Sequence, residues 1–155
     1  MHASKHLIIL LLYSSLLPLI FSCNKEDDTD SIFNGYTWYI SGVTINNKSI
    51  NGEDIKTIYK SPTTYYIHFN SDQTFTGKLS GSSSLSGSWE VQSKKREFSL
   101  TIINKENVNS ITLDQNIFTI LQNIRFYAGD TNNMCLKADN RNLINFTRNK
   151  TTNTL

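Results

Sequence analysis

From Tyr36 onward, apolar and polar side chains alternate with a period of two, which predicts half-buried β-strands. Trp38 and Ile40 share one face, whereas Val43 and Ile45 fall on the other, so the pattern predicts a bulge at Ser41-Gly42. Tyr65, Ile67 and Phe69 alternate with Tyr66, His68 and Asn70. Ser71-Asp72-Gln73 then turns the chain, and Phe75, Gly77 and Leu79 carry the apolar face on. Leu85, Gly87, Trp89 and Val91 make the next strand, followed after Ser93-Lys94-Lys95 by Phe98, Leu100 and Ile102. These runs describe a meander.

Further on, Ile117 to Ile124 is nearly continuous apolar sequence, extended by Phe126 and Ala128, and is expected as a strand. Met134 to Ala138 and Leu143 to Arg148 follow, separated by turn residues at Asp130 to Asn133 and Asp139 to Asn142. The total is about eight strands, and an open sheet that wide would expose its edges. Closure into an all-β, antiparallel up-and-down barrel is the expected solution. Between the first two strands, Ile55, Ile58 and Tyr59 fall at helical spacing within Asn51 to Lys60, ahead of Pro62.

The first 34 residues differ in kind. Lys5 precedes an uncharged stretch from Leu7 to Phe21, and a small residue, Ser22, stands before Cys23. Those are the parts of a secretory signal peptide. A fifteen-residue helix would rise about 22 Å, short of the roughly 30 Å core of a bilayer. Asn24 to Asn34 is polar and acidic with little to bury, so it reads as a flexible tether. The expected organisation is a signal peptide over 1–22, a tether over 23–34, the barrel over 35–149 and a flexible tail over 150–155.

Composition narrows the function classes. Without residues 1–22 the chain has 133 residues, enough for one domain. From Gly35 onward there are 13 basic and 9 acidic side chains, a mild excess. The longest basic run, Lys94-Lys95-Arg96, sits at an expected hairpin turn and lacks the interleaved aromatics of a nucleic-acid surface. Nucleic acid is therefore not an expected partner. Once Cys23 is set aside, Cys135 is the only thiol, so the exported domain has no internal disulfide.

Ile20-Phe21-Ser22-Cys23 resembles the lipobox of bacterial lipoproteins. The resemblance implies acylation of Cys23 and a membrane anchored through its lipid; several chains on one residue would hold it firmly. Lys25-Glu26-Asp27-Asp28 is similar to the export signal of surface lipoproteins of the Bacteroidota, which implies the outer membrane and its outer face, with the periplasmic face as the alternative. Asp30-Ser31-Ile32 resembles the three-residue O-glycosylation site of the same phylum.

Residues 35–148 resemble the lipocalin-like lipoproteins of the Bacteroidota and, more distantly, the lipocalins. The likeness rests on Gly35-Tyr36-Thr37-Trp38, on the hairpin from Phe69 to Phe75, and on the closing Phe146-Thr147-Arg148. It implies a calycin-like barrel whose floor is closed by Trp38 beneath Arg148, a cation–π pair of about 0.5–2 kcal/mol. The spacing here is G-x-x-W where lipocalins have G-x-W, and no Thr-Asp-Tyr motif stands near the seventh strand. A distant relative sharing the barrel fits better than a true lipocalin.

Reactive groups are few. His2 and His6 lie in the signal peptide, leaving His68 as the one histidine of the domain. One histidine and one cysteine are too few for a zinc site without carboxylates. A Cys135–His68 dyad has no motif around it. The Gly/Ser stretch from Leu79 to Ser88 lacks the Lys-Ser/Thr ending of a phosphate loop and reads as a hairpin loop. No cofactor, metal site or catalytic set is expected.

Two functions remain, beside a plainer third reading as a surface scaffold or accessory lipoprotein without a discrete ligand. The first is a binding barrel for a small apolar ligand, lined by Tyr65, Ile67, Phe69, Trp89, Phe98 and Leu100, with Asn46 to Pro62 over its mouth. The second is a protein-interaction module, similar to lysozyme inhibitors or immunity proteins, acting through Tyr59, Lys60 and the Ser80 to Ser84 loop.

Overall fold

The computed structural model describes residues 29–52, 54–55, 65–80, 83–108 and 112–148. A short helix α1 (Thr29–Ile32) precedes β1 (Tyr36–Ile45), β2 (Lys48–Asn51), β3 (Tyr66–Phe69), β4 (Thr74–Lys78), β5 (Ser84–Gln92) and β6 (Glu97–Glu106). Helix α2 (Thr112–Gln122) follows, then β7 (Phe126–Gly129), β8 (Asn133–Lys137) and β9 (Leu143–Thr147). Neighbouring strands pair antiparallel in chain order from β3 to β9, and β1 pairs with both β3 and β9. The eight strands other than β2 thus close into a barrel, as the alternation predicts. Closure removes the outer edges of the eight-stranded sheet, and β2 lies outside the ring, paired with β1 alone.

Local chemistry accounts for the strand ends. Phe69 faces Phe75 directly across the β3–β4 hairpin. The register between β1 and β9 shifts between Ile40 and Gly42, which places the bulge where the apolar face changes side. Asn46 and Asn47 both take positive φ (49° and 65°), the backbone of a type I′ turn, and fold β2 back on β1. That hairpin corrects the expectation of a long connection from Asn46. Gly52, Asp54 and Ile55 beyond it are helical, and the rest of the expected helix, with Ile58, Tyr59, Lys60 and Pro62, lies outside the described residues.

Three aspartates hold turns by the same device. Asp72 accepts from the Thr74 backbone N–H and hydroxyl at 3.0 and 2.6 Å. Asp130 accepts from the N–H groups of Asn132 and Asn133, and Asp139 from those of Arg141 and Asn142. The Thr74 hydroxyl at Asp72, the Asn132 N–H at Asp130 and the Asn142 side chain at Asp139 hold these carboxyls below the usual aspartate range. The unfolded chain then binds protons more readily than the folded one, so this contribution is complete above the ordinary aspartate pKa of about 3.9. It is lost as pH falls through the lower folded-state values. Denaturant midpoints measured against pH should fall on the acid side of about pH 4. Replacing all three by Asn, which keeps an acceptor oxygen but carries no charge, should make that acid limb shallower. A limb of unchanged slope would refute the assignment.

Two further corrections concern the core. Ile117 to Ile124, expected as a strand, lies mostly in α2, and only Phe126 to Gly129 of that run is β7. Leu113, Ile117, Ile120, Leu121 and Ile124 recur at helical spacing, and all are buried. A helix needs one such stripe, whereas a strand would turn half of that run outward. Asn24 to Asn34, expected as a flexible tether, is packed from Thr29 on: Ile32 and Phe33 belong to the core. Ile32 and Phe33 are the only two large apolar side chains between Asn24 and Asn34, and both are used.

Among the described residues, β6 and β7 share only the pair Glu97 and Phe126 in register. Helix α2 is in contact with β6 and β9. The Lys105 ammonium stands 4.6 Å above the Phe118 ring, a cation–π contact between strand and helix.

Candidate functional site

The floor of the barrel is built around Trp38 and Arg148. The Arg148 guanidinium carbon lies 3.5 Å from the centre of the Tyr36 ring and 4.8 Å from that of Trp38. Its Nη2 donates to the Ser31 carbonyl and, at 3.0 Å, to the Ile32 carbonyl, while Nε is buried without a hydrogen-bond partner among the described residues. The Trp38 indole N–H also donates to the Ile32 carbonyl, at 2.9 Å. The two floor residues therefore do more than stack on one another: together they satisfy the carbonyls at the end of α1. That docking sets Phe33 at the floor.

The expected ligand-lining residues separate into two groups. Phe69, Trp89 and Phe98 gather around the Phe33 ring, with Tyr127 from β7. Tyr65 lies at the other end, where its hydroxyl donates to Asp114 Oδ1 at 2.9 Å. Ile67 and Leu100 are buried in the same continuous core. The lining expected for a ligand is thus taken up by side chains of the chain itself: a phenylalanine at one end, an aspartate at the other.

Asp114 is fully buried on the first turn of α2. Besides Tyr65 it accepts from the Ser80 backbone N–H (3.3 Å), the Ser80 hydroxyl and the Ser83 hydroxyl (2.8 Å). Four donors surround one carboxylate, and the positive end of the helix macrodipole adds to them. The arrangement ties α2 to the β4–β5 connection and to the start of β3. It also turns the hydroxyls of Ser80 and Ser83 inward, away from any partner of that loop. Sequence reasoning missed Asp114, because it lies just before a run taken for a strand; the helical spacing from Leu113 was the available signal.

A groove of about 830 Å³ opens beside the floor. Thr29 and Asn34 form one wall, Trp89 and Phe98 reach its base, and Glu90, Glu97 and Arg125 contribute charge. Its size is in the range of small-molecule sites, roughly 300–1,000 Å³. Phe126 at its rim is 45% exposed, a large apolar ring left in water.

The other reactive groups stay apart. His68 Nδ1 pairs with the Thr37 hydroxyl at 2.8 Å on the neighbouring strand. Cys135 is on β8, and β9 and β1 stand between it and β3, three strand spacings or about 14 Å. Burial pushes the Cys135 thiol up, with Lys137 partly opposing, so the thiolate is disfavoured. Among the described residues no three His, Cys, Asp or Glu side chains converge as metal ligands, and no helix is long and apolar enough to cross a membrane. Cys23 and the Lys25-Glu26-Asp27-Asp28 stretch lie outside the described residues, as does the 150–155 tail.

Comparison with known proteins finds a family and a solved structure that this chain is similar to. The domain of unknown function DUF4847 matches residues 24–148. The crystal structure of a DUF4847 family protein from Bacteroides vulgatus ATCC 8482 superposes with a TM-score of 0.65 at 20% identity, covering 79% of this chain and 98% of that one. At that identity the likeness concerns the fold. No curated protein matches the chain.

Proposed function

The chain belongs to the DUF4847 family, and on that premise we propose that it is a lipid-anchored barrel of the outer membrane, facing the cell surface, that binds a small molecule without transforming it. Kinship with the lipocalin-like lipoproteins of the Bacteroidota is part of this reading. Its anchor is the acylated Cys23, and its export signal is Lys25 to Asp28. The six residues from Cys23 to Asp28 reach at most about 20 Å, so the floor and its groove stay close to the bilayer.

The observation that carries the reading is the groove itself. It is concave, of ligand size, and combines the aromatic base of Trp89 and Phe98 with the charges of Glu90 and Arg125. Its walls are mainly polar, with Asp30, Glu90, Glu97 and Arg125 among them, so polar groups would hold and orient a small molecule over a small apolar base. The barrel axis offers less, because Phe33 occupies the floor end and the Asp114 cluster the other. We therefore place the ligand beside the floor, and assign it an apolar part and at least one polar group.

Native mass spectrometry of the protein purified from its own host tests both halves. The expected mass is an acylated polypeptide beginning at Cys23 plus a non-covalent small molecule. Replacing Glu90 and Arg125 together by Ala should remove the small molecule and leave the acylated mass. A wild-type protein with no added mass would end the ligand reading, and an unmodified Cys23 would end the anchor.

A further inference from the structure

We propose that the pocket holding the Phe33 ring is a site for small planar aromatic molecules, and that the Thr29–Asn34 segment is a resident occupant such a ligand displaces. The inference rests on the groove reading and says which part of the ligand goes where.

Four aromatic rings stand around Phe33. Phe98 is stacked on it at 4.8 Å between centroids and 18° between planes; Trp89 lies at 5.5 Å and 31°. Phe69 and Tyr127 present themselves nearly at right angles, at 5.4 and 5.3 Å. These are the offset and edge geometries that aromatic pairs prefer. Four separate strands, β3, β5, β6 and β7, supply the cage, and none supplies the ring at its centre. Phe33 comes from outside the barrel, on a segment whose helix is a single turn of four residues.

A helix so short has no stability of its own. The segment is held by the Ile32 and Phe33 side chains it buries, by the bonds from Arg148 and Trp38 to its carbonyls, and by the Gly35 N–H on the Phe69 carbonyl. The cage also has a way in. Trp89 and Phe98 are walls of the cage and base of the groove, and Asn34 beside the plug lines the same groove. A molecule in the groove therefore already touches two of the four rings, and needs only the plug to move. The barrel strands need not part.

The test uses the full-length protein with p-cresol as probe and 4-methylcyclohexanol as its saturated, non-planar control. Saturating p-cresol should raise amide hydrogen exchange at Phe33 to Tyr36 in the wild type, while β5 and β6 keep their protection. Phe33→Ala should bind p-cresol about 100-fold tighter than the wild type, because a plug seated about 99% of the time reduces apparent affinity by that factor. Phe33→Leu, which keeps an apolar filler and guards against a variant that fails to fold, should fall between the two. Phe146→Ala opens space elsewhere in the core and should show no such gain. 4-Methylcyclohexanol should bind Phe33→Ala at least about 10-fold more weakly than p-cresol, by the loss of ring–ring contacts.

The proposal is overturned if Phe33→Ala gains no affinity, if Phe146→Ala gains as much, or if Phe33 to Tyr36 stay protected at saturating p-cresol. A natural ligand found by native mass spectrometry alongside a plug that never moves would overturn this inference and leave the groove reading standing. An empty groove alongside a plug that p-cresol displaces would do the reverse.

Discussion

Asp114→Ala should cost about 3–5 kcal/mol of folding stability, the loss expected when several buried hydrogen-bond donors are left without their acceptor. The carboxylate accepts from the Tyr65, Ser80 and Ser83 hydroxyls and from the Ser80 N–H, in a region closed to water. Removing it leaves those donors buried together, and each unsatisfied one costs about 1–3 kcal/mol. The hydroxyls can rotate to serve one another, so the sum is less than four separate losses. Asp114→Asn keeps the shape and one acceptor but sets an amide N–H₂ against the serines, and should cost less than the Ala variant. For a domain of ordinary stability, about 5–15 kcal/mol, the Ala variant would be near the edge of folding. Urea denaturation measures both, and hydrogen exchange should show α2 losing protection first. If Asp114→Ala keeps the wild-type midpoint, the cluster does not hold the helix to the barrel.

Gly87→Ala is the second large effect. The β5–β6 register shifts between Ser86 and Gly87, and the bulge brings the Thr101 backbone close to Gly87. A Cβ there would lie 1.9 Å from the Thr101 carbonyl oxygen and 3.0 Å from the Phe75 ring. The first neighbour is backbone inside the longest strand pair of the barrel and cannot step aside alone. A cost of about 3 kcal/mol is expected, at the upper end of overpacking, or about 10 °C in melting temperature. Gly42→Ala is the matched control, since its nearest neighbour would be at 3.4 Å, an ordinary contact. Thermal melts of the two variants separate steric exclusion from a general intolerance of side chains in the sheet. Equal melting temperatures would remove the argument.

Much of the barrel was legible because its signals are local. Alternation from Trp38 to Ile102, and turns written in Asn, Asp and Gly, belong to neighbouring residues and need no knowledge of the rest of the chain. The Phe69–Phe75 hairpin and the bulge near Gly42 were read in this way. Trp38 with Arg148 was legible through resemblance to a family, not through any local pattern. Ile117 to Ile124 was misread because a dense apolar run satisfies both periods when its flanks are ignored. Extending the window back to Leu113 would have shown the helical stripe.

Phe33 and Asp114 belong to another class. Nothing in an acidic, Asn-rich segment says that one of its rings will be enclosed by four others from distant strands. Nothing around Asp114 names serines 31 and 34 positions away as its partners. Sequence by itself determined that the chain is a strand-rich domain of barrel type, where its hairpins turn, and which faces are apolar, since each follows from side-chain spacing within a few residues. Only the tertiary structure decided what fills the two ends of that barrel, because a ring meets its cage, and a carboxylate its donors, only after closure has brought together segments the chain keeps far apart.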